Sequence, residues 1–560
     1  MVNMSSNREK HADELFKEFR ETSITEFFRK NRAHLGYSGK LRSLTTVVHE
    51  IVTNALDACE EAGILPEIQI RIDALNSLNS EHYRVFGADN GPGIPLKHIS
   101  DVFGKMLAGT KFHRNVQLRG QQGIGVAGVT LFSQITTGKP IKVRTSTGNG
   151  KVYEVELMID ITKNRADILS KKEYSQYWRG TELDIEIRGV KFNLSERGPF
   201  EYLRRTAIAN PHARIIFIDP DGRKTVFERS SEKIPKPPTA IRVHPKGLEV
   251  DDLINMSKVT KARKVSSFLV STFSRMSNAK AREIQKHVSF DLNKNPRKLT
   301  WAECEEIINA IDKIKFLAPP TEGLEAIGEE QIRNAVLNIL DPEFEAVLTR
   351  PPKVHSGGIP FLVEVAIAYG GHAGRSIGDG SKCEIMRFGN KAPLLFDAGG
   401  CAITKAVNSV EWKRYGIRDF ENSPITVFVN LVSTHIPYTS AGKQSVAEDR
   451  DILKEIRFAL MEVGRKFQVY HSRRRRALER EARKQILLKY SIELASGLAK
   501  LTNKNEDKIL KELQNLIEER IRGLEIEEAE EGIAGEELEP ALEGESEDNS
   551  EAHRETEEVE

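Results

Sequence analysis

Glu50-Ile51-Val52-Thr53-Asn54-Ala55-Leu56-Asp57 is the stretch on which the reading of this chain turns. It sits inside residues 41–62, where Leu41, Leu44, Val47, Val48, Ile51, Ala55 and Ala58 recur at helical spacing before Gly63 stops the pattern. Glu50, Asn54 and Asp57 stand at i, i+4 and i+7, which predicts three polar side chains on one helix face. A solvated surface stripe would use the same residue types. A pocket would use them differently: Glu50 to take a proton from an attacking water, and Asn54 to offer a neutral oxygen to Mg²⁺.

Outward from this helix, Ile68, Ile70 and Ile72 alternate with polar residues as in a half-buried strand, and Tyr83–Ala88 reads as a second strand. That strand ends in Asp89-Asn90-Gly91-Pro92-Gly93. The sequence is ordinary turn chemistry, but it also sets a carboxylate where glycines admit a flat ligand. Asp89 there suits an exocyclic amine such as that of adenine, because an unpaired buried acceptor discriminates strongly. Next comes Arg119-Gly120-Gln121-Gln122-Gly123-Ile124-Gly125-Val126-Ala127, opening into an expected helix over 126–132. Its three glycines can aim backbone N–H groups at phosphates. The spacing GxxGxG, without Gly-Lys-Ser/Thr, matches neither a P-loop nor a dinucleotide fingerprint. Thr110 and Lys111 add a hydroxyl and a cation upstream, and Gly180-Thr181-Glu182-Leu183 opens a later strand from which Thr181 reaches toward Asp89. Further strands are expected at 141–146, 151–159 and 181–188, giving an α+β sandwich with helices on one face of a mixed sheet.

Taken in order, these four segments resemble the GHKL (Bergerat) ATPase superfamily of gyrase B, Hsp90, histidine kinases and MutL, over roughly residues 20–225. The resemblance implies ATP between helix and sheet under a glycine-rich lid. Its implied ATP contacts are Asn54, Asp89, Thr110, Lys111, Gly120 through Ala127 and Thr181, with Mg²⁺ on Asn54 and Glu50 as catalytic base. In the lid, Gln121 and Gln122 stand where one aromatic or apolar residue is usual, and Ala127 where a lysine is common.

Four more stretches narrow the family: Ile24–Asn31, Gly109–His113, Ala209–Ala213 and Pro437–Ala447. Over roughly residues 15–475 they look like the B subunit of archaeal-type DNA topoisomerase VI. That resemblance implies a GHKL ATPase domain with an N-terminal strap (1–230), a helix–two-turn–helix module (231–305) and a mixed βαβ transducer (306–470). A helical segment toward an A subunit (471–523) and a disordered acidic tail (524–560) complete it. Lys443 resembles the transducer lysine that reaches the γ-phosphate, a mobile point charge suited to a transferring phosphoryl group. The implied partners are a cleavage-competent A subunit in a heterotetramer of two A and two B chains, a second copy of this chain on ATP binding, and duplex DNA. A chaperone-like or MutL-like clamp is the alternative; a histidine kinase would need a phosphoacceptor helix, and His11 and His34 lack that context.

Charge agrees with a polyanionic partner once its distribution is seen. Net charge over 560 residues is +1, yet Leu524–Glu560 holds 17 acidic residues against Arg554 alone. That segment carries −16, leaving +17 on residues 1–523. Lysines and arginines around 258–299 and 471–484 are the expected DNA contacts. Cys59, Cys304, Cys383 and Cys401 form no CxxC pair, which points away from a zinc site or disulfide framework. The charged N-terminus and the lack of long apolar runs point to a cytosolic protein without membrane spans.

Overall fold

The computed structural model describes residues 32, 36–76, 81–105, 116–120, 123, 125–160, 165–237, 239, 241–317, 323–355, 358–377, 380–440 and 442–537, of which 524–537 by backbone alone. The stretch Ile24–Asn31 lies outside them, as do Thr110, Lys111, Gln121, Gln122 and Ile124.

The apolar stripe of the opening helix becomes α1 (Lys40–Glu61), with Leu44, Val47, Val48, Val52, Leu56 and Cys59 buried. Gly63, at φ +66°, ends it. Ile64 N–H bonds the Cys59 carbonyl and Gly63 N–H that of Glu60, the paired closure of a Schellman cap. β1 (Glu67–Ala74) buries Ile68, Ile70 and Ile72, and β2 (His82–Asp89) pairs with it antiparallel. α2 (Ile99–Gly104) and α3 (Gly125–Thr137) follow, then β3 (Ile141–Thr147), β4 (Lys151–Asp160), β5 (Arg165–Ser175) and β6 (Arg179–Arg188). α4 (Pro199–Ala209), β7 (Arg214–Ile218) and β8 (Lys224–Phe227) close the region.

The eight strands order as β5-β4-β3-β6-β2-β1-β7-β8. Only the β1–β7 pairing in this sheet is parallel. β1 and β2 therefore lie centrally, and Gly87 lets β2 approach α1 closely: a Cβ there would lie 2.5 Å from Ile51 Cγ2. The edge strand β5 escapes sequence reading because most of its residues after Ala166 are exposed, so no alternation marks it. α3 runs five residues beyond the expected 132, to Thr137, ended by Gly138 at φ +71°.

Four short helices come next: α5 (Val250–Val259), α6 (Val265–Thr272), α7 (Asn278–Gln285) and α8 (Trp301–Lys313). They share a core of Leu253, Phe268, Leu269, Ile284, Cys304, Ile307 and Ile311. α8 starts in a capping box between Thr300 and Glu303.

α9 (Glu329–Leu340) then packs on a second sheet, ordered β10-β11-β16-β14-β15 with β9 also on β11. Its strands are β9 (Phe344–Thr349), β10 (Lys353–Val354), β11 (Pro360–Tyr369), β14 (Glu384–Gly389), β15 (Ala392–Pro393) and β16 (Ile425–Ser433); β12 (Arg375–Ile377) and β13 (Gly380–Lys382) make a separate hairpin. β14 and β16 run parallel, joined through α10 (Ala402–Asn408), a βαβ crossover.

α11 is one helix over Arg450–Thr502, beginning well before the helical segment expected from 471. From Gln468 onward it belongs to a second compact unit, which also holds α12 (Glu506–Glu537). Asn503 at φ +54° sits in the break between the two helices. The acidic segment expected to be disordered from 524 is helical in its backbone through Glu537, since glutamate, leucine and alanine are strong helix formers.

α4 ties the two sheets of the first unit together. Burial would raise the Glu384 carboxyl on β14, but Arg205, Arg204 and Arg375 draw it down to about 2. Arg204 and Arg205 come from α4, at 2.9 and 2.8 Å. Glu384→Gln removes one of the two carboxylates that pair Arg204 and Arg205, while Glu201 still holds both, so it should cost about 1–3 kcal/mol near neutral pH. Because the folded-state pKa is depressed, that stability is present above the ordinary glutamate range and fades as pH falls from about 4.5 toward 2. Thermal melting of both proteins across this window should show the gap closing on acidification.

Candidate functional site

α1 forms one wall of the site, and the two ends of that wall differ in chemistry. Glu50 and Cys59 are nine residues apart, roughly 13 Å along the axis at 1.5 Å per residue.

At the Cys59 end, Asp89 closes β2. Its Oδ1 accepts the Gly91 N–H at 2.9 Å, and the Thr181 N–H also bonds its carboxylate. Burial nevertheless raises its pKa to about 6, with those two amides pulling the other way. Three glycines make the approach possible. A Cβ on Gly91 would lie 2.8 Å from Asp89 Oδ1, one on Gly180 2.1 Å from the Asp89 carbonyl, and one on Gly93 2.0 Å from the Ser146 carbonyl. Asn90 has a structural role, accepting the Glu67 N–H at 2.9 Å and donating to the Leu65 carbonyl at 3.0 Å. The register places Thr145 on β3 opposite Thr181 on β6, their hydroxyls 3.5 Å apart, and Thr145 also accepts the Ile94 N–H. Thr145 had no signal of its own in the sequence; only the pairing of β3 with β6 reveals it.

At the Glu50 end, α3 presents its N-terminus. A Cβ on Gly125 would lie 2.0 Å from Glu50 Oε2, so a larger residue there would have to displace the carboxylate. Burial raises the Glu50 pKa, with Lys443 opposing, which favours a base that works near neutral pH. Asn54 donates its amide to the Glu50 carbonyl at 2.5 Å, which leaves Oδ1 for a cation. Gly123 takes φ +58°; Val126 and Ala127 belong to the first turn of α3. His49 packs edge-on to Tyr202, its ring centroid 5.4 Å away; burial, then Lys443, lowers its pKa to about 4. It is therefore a neutral imidazole beside Glu50.

Asp57 takes a structural partner. It is buried against Arg119, 2.8 Å from Nη1. Arg119 also bonds Glu60 at 3.0 and 2.6 Å, together with the Asn210 side-chain oxygen. Burial alone would raise Glu60, but Arg119 and the His212 hydrogen bond pull it well below the carboxylate range. Asp57 thereby anchors the start of the lid to α1. Arg119 opens the glycine-rich segment in the sequence, but its role as an anchor was not legible there, since its partners are 59 to 91 residues away.

Lys443 arrives from the far side of the chain. Its Nζ donates to the Arg119 carbonyl at 3.1 Å, and its charge acts on both Glu50 and His49. Lys443 sits at φ +51° in a hairpin closed by the Tyr438–Val446 bridge. The next residue, Gln444, is buried, and its Oε1 accepts the N–H groups of Leu395 and Phe396 at 3.2 and 3.3 Å. Anchoring one residue away restricts where the lysine can swing. Gly36, at the end of the expected strap, accepts the Thr46 hydroxyl at 2.8 Å, and Tyr37 stacks on Phe132 at 4.8 Å.

Comparison with known proteins agrees with this geometry. The profile of histidine kinase-, DNA gyrase B- and HSP90-like ATPases matches residues 39–161, and that of the topoisomerase VI B subunit transducer matches residues 319–483. A Pyrococcus horikoshii protein named as the B subunit of type 2 DNA topoisomerase 6 is 48% identical over 570 residues, covering 92% of this chain and 99% of its own length. One of the same name from Methanothermobacter thermautotrophicus is 50% identical over 501 residues, covering 89% and 95%.

Asp89→Asn should abolish ATP binding in calorimetric titration. It should also stabilise the nucleotide-free chain. The raised folded-state pKa means that ionising Asp89 costs stability progressively as pH rises from about 4 through 6, and the neutral amide escapes that cost. Above pH 6 the gain should be roughly 1–3 kcal/mol, read as a higher melting temperature.

Proposed function

The chain belongs to the family of type 2 DNA topoisomerase 6 B subunits, and we propose that the cleft along α1 binds ATP with its adenine at Asp89 and its γ-phosphate between Glu50 and Lys443. It is the ATP-driven subunit of a type II DNA topoisomerase. The observation that carries the nucleotide reading is that Lys443, 324 residues further along the chain, donates to the Arg119 carbonyl at the start of the glycine loop and brings its charge to bear on Glu50 of α1.

Asp89 accepts the exocyclic amine of adenine, and the Thr181 and Thr145 hydroxyls border the same edge. Gly120 to Ala127 offer backbone N–H groups to the phosphates, helped by the partial positive charge at the start of α3; Thr110, Lys111, Gln121, Gln122 and Ile124 are proposed contacts of the same loop. The donor set fits Mg²⁺ at one protein ligand, the Asn54 oxygen left open by its amide's bond to the Glu50 carbonyl. The ion supplies neutralisation of phosphate charge. Glu50 takes the proton of the attacking water, and the Lys443 ammonium offsets negative charge on the transferring phosphoryl group.

ATP binding favours a dimer of this chain because the nucleotide binds the closed state better than the open one. Dimerisation clamps a duplex; hydrolysis resets it. A separate A subunit cuts the DNA, in a complex of two A and two B chains that acts in the cytoplasm. No described helix is long and apolar enough to cross a membrane. Basic residues around 258–299 and 471–484 contact DNA phosphates, so binding is salt-sensitive and largely independent of sequence. The domain assignment is 1–230 ATPase and strap, 231–305 helix–two-turn–helix, 306–470 transducer, 471–523 toward the A subunit and 524–560 tail. The core shared by α5 to α8, which includes Ile311 and Ile314, supports a separate second module.

Glu50→Ala should lose ATP hydrolysis by at least about a hundredfold yet still dimerise with ATP, as measured by steady-state turnover and light scattering; normal turnover removes Glu50 as the base. Lys443→Ala should slow hydrolysis by roughly 10–100-fold without loss of ATP binding, and wild-type kinetics would reduce it to a loop lysine.

A further inference from the structure

The four residues that lead into the glycine loop, Val116 to Arg119, are all buried, at 6–8% exposure. They form the root of the lid, with Gly120 next. Arg119 fixes one side of this root to α1. On the other side, three consecutive residues meet three separate segments of the second sheet's region. The Gln117 amide donates to the Glu325 carbonyl at 2.9 Å and accepts the Glu325 N–H at 2.7 Å. Asn390 Nδ2 donates to the Leu118 carbonyl at 3.2 Å. Lys443 Nζ donates to the Arg119 carbonyl at 3.1 Å.

Asn390 is itself rigidly held. It shares with Lys391 a two-residue turn between β14 and β15, at φ +48° and +68°, the conformation of a type I′ hairpin. Its side chain bonds both the N–H and the carbonyl of Ser433, each at 2.9 Å. A joint that only packed would be apolar here. This one directs desolvated hydrogen bonds to three successive residues, which fixes register rather than mere proximity.

We infer that Asn390 and Gln117 are positioning residues for ATP hydrolysis: they hold the lid root where the Arg119 carbonyl receives Lys443, so that the second sheet sets the geometry of the phosphate loop. This rests on the role proposed for Lys443. A shift of the root by about an ångström moves both the glycines and the lysine's anchor, which is enough to cost turnover without touching the adenine end.

The test uses the full-length chain and three variants. Asn390→Gly removes the amide while glycine keeps the positive φ. Gln117→Met removes both bonds to Glu325 at similar volume and leaves the hairpin alone. Each should lower kcat by about tenfold while KM for ATP stays within about threefold and the chain stays folded at the assay temperature, though its melting temperature falls with the backbone groups left unpaired; if one variant unfolds there, the other decides. Combined with Lys443→Ala, each should lose clearly less than the product of the two separate losses, because they share the Lys443–Arg119 contact. Wild-type kcat in the well-folded variants, a change confined to KM, or losses that multiply with Lys443→Ala would overturn the inference. Wild-type kcat in Lys443→Ala itself would instead remove the reading on which it rests, whatever Asn390→Gly does.

Discussion

A single buried guanidinium governs how this site is assembled. Arg119 sits among Asp57, Glu60 and Asn210 with almost no solvent contact, and the two carboxylates hold it charged against the pull of burial. Such a cluster is costly to desolvate and still costlier to leave half-paired. What the cluster achieves is to fix the start of the glycine loop to the helix that carries Glu50 and Asn54. Glu60 then extends the cluster to His212, and Lys391 lies close enough to feel its charge. One ion cluster thus joins α1, the lid root, the segment after α4 and the β14–β15 turn.

The two ends of the cleft work in opposite ways. At the Asp89 end, glycines let the backbone crowd a carboxylate whose burial lifts its pKa to about 6, a destabilised state that a hydrogen-bond donor relieves. At the Glu50 end the carboxylate is again destabilised by burial, but a cation from beyond the first sheet offsets part of the effect. In the proposed function the first end binds adenine and the second tunes the chemistry at phosphate, with the rod of α1 setting their separation.

The parts of this arrangement with local periodicity were legible in the sequence. α1, β1, β2, β3, β4 and β6 fell where their apolar spacing put them, because each buries one face against a common core. β5 was hidden by its exposure on an edge, and the unbroken run of α11 by a charged surface that masks where one helix ends. Glu50, Asn54 and Asp89 could be singled out by residue type and spacing. Thr145, Gln444 and Asn390 could not, since each owes its place to strand register or to a turn distant in the chain from what it touches. Asp57 shows the limit of helical spacing: spacing places it beside Glu50 and Asn54, but its partner Arg119, 62 residues away, could not be read from it.

Nucleotide should order the lid root and the Lys443 hairpin as one body. Hydrogen–deuterium exchange on the full chain, with and without a non-hydrolysable ATP analogue and Mg²⁺, tests this directly. Residues 116–120 and 436–446 should gain protection together, over the same range of nucleotide concentration. Protection of 116–120 with 436–446 unchanged would show that the pocket closes without the second sheet, and would contradict the coupling of lid and lysine.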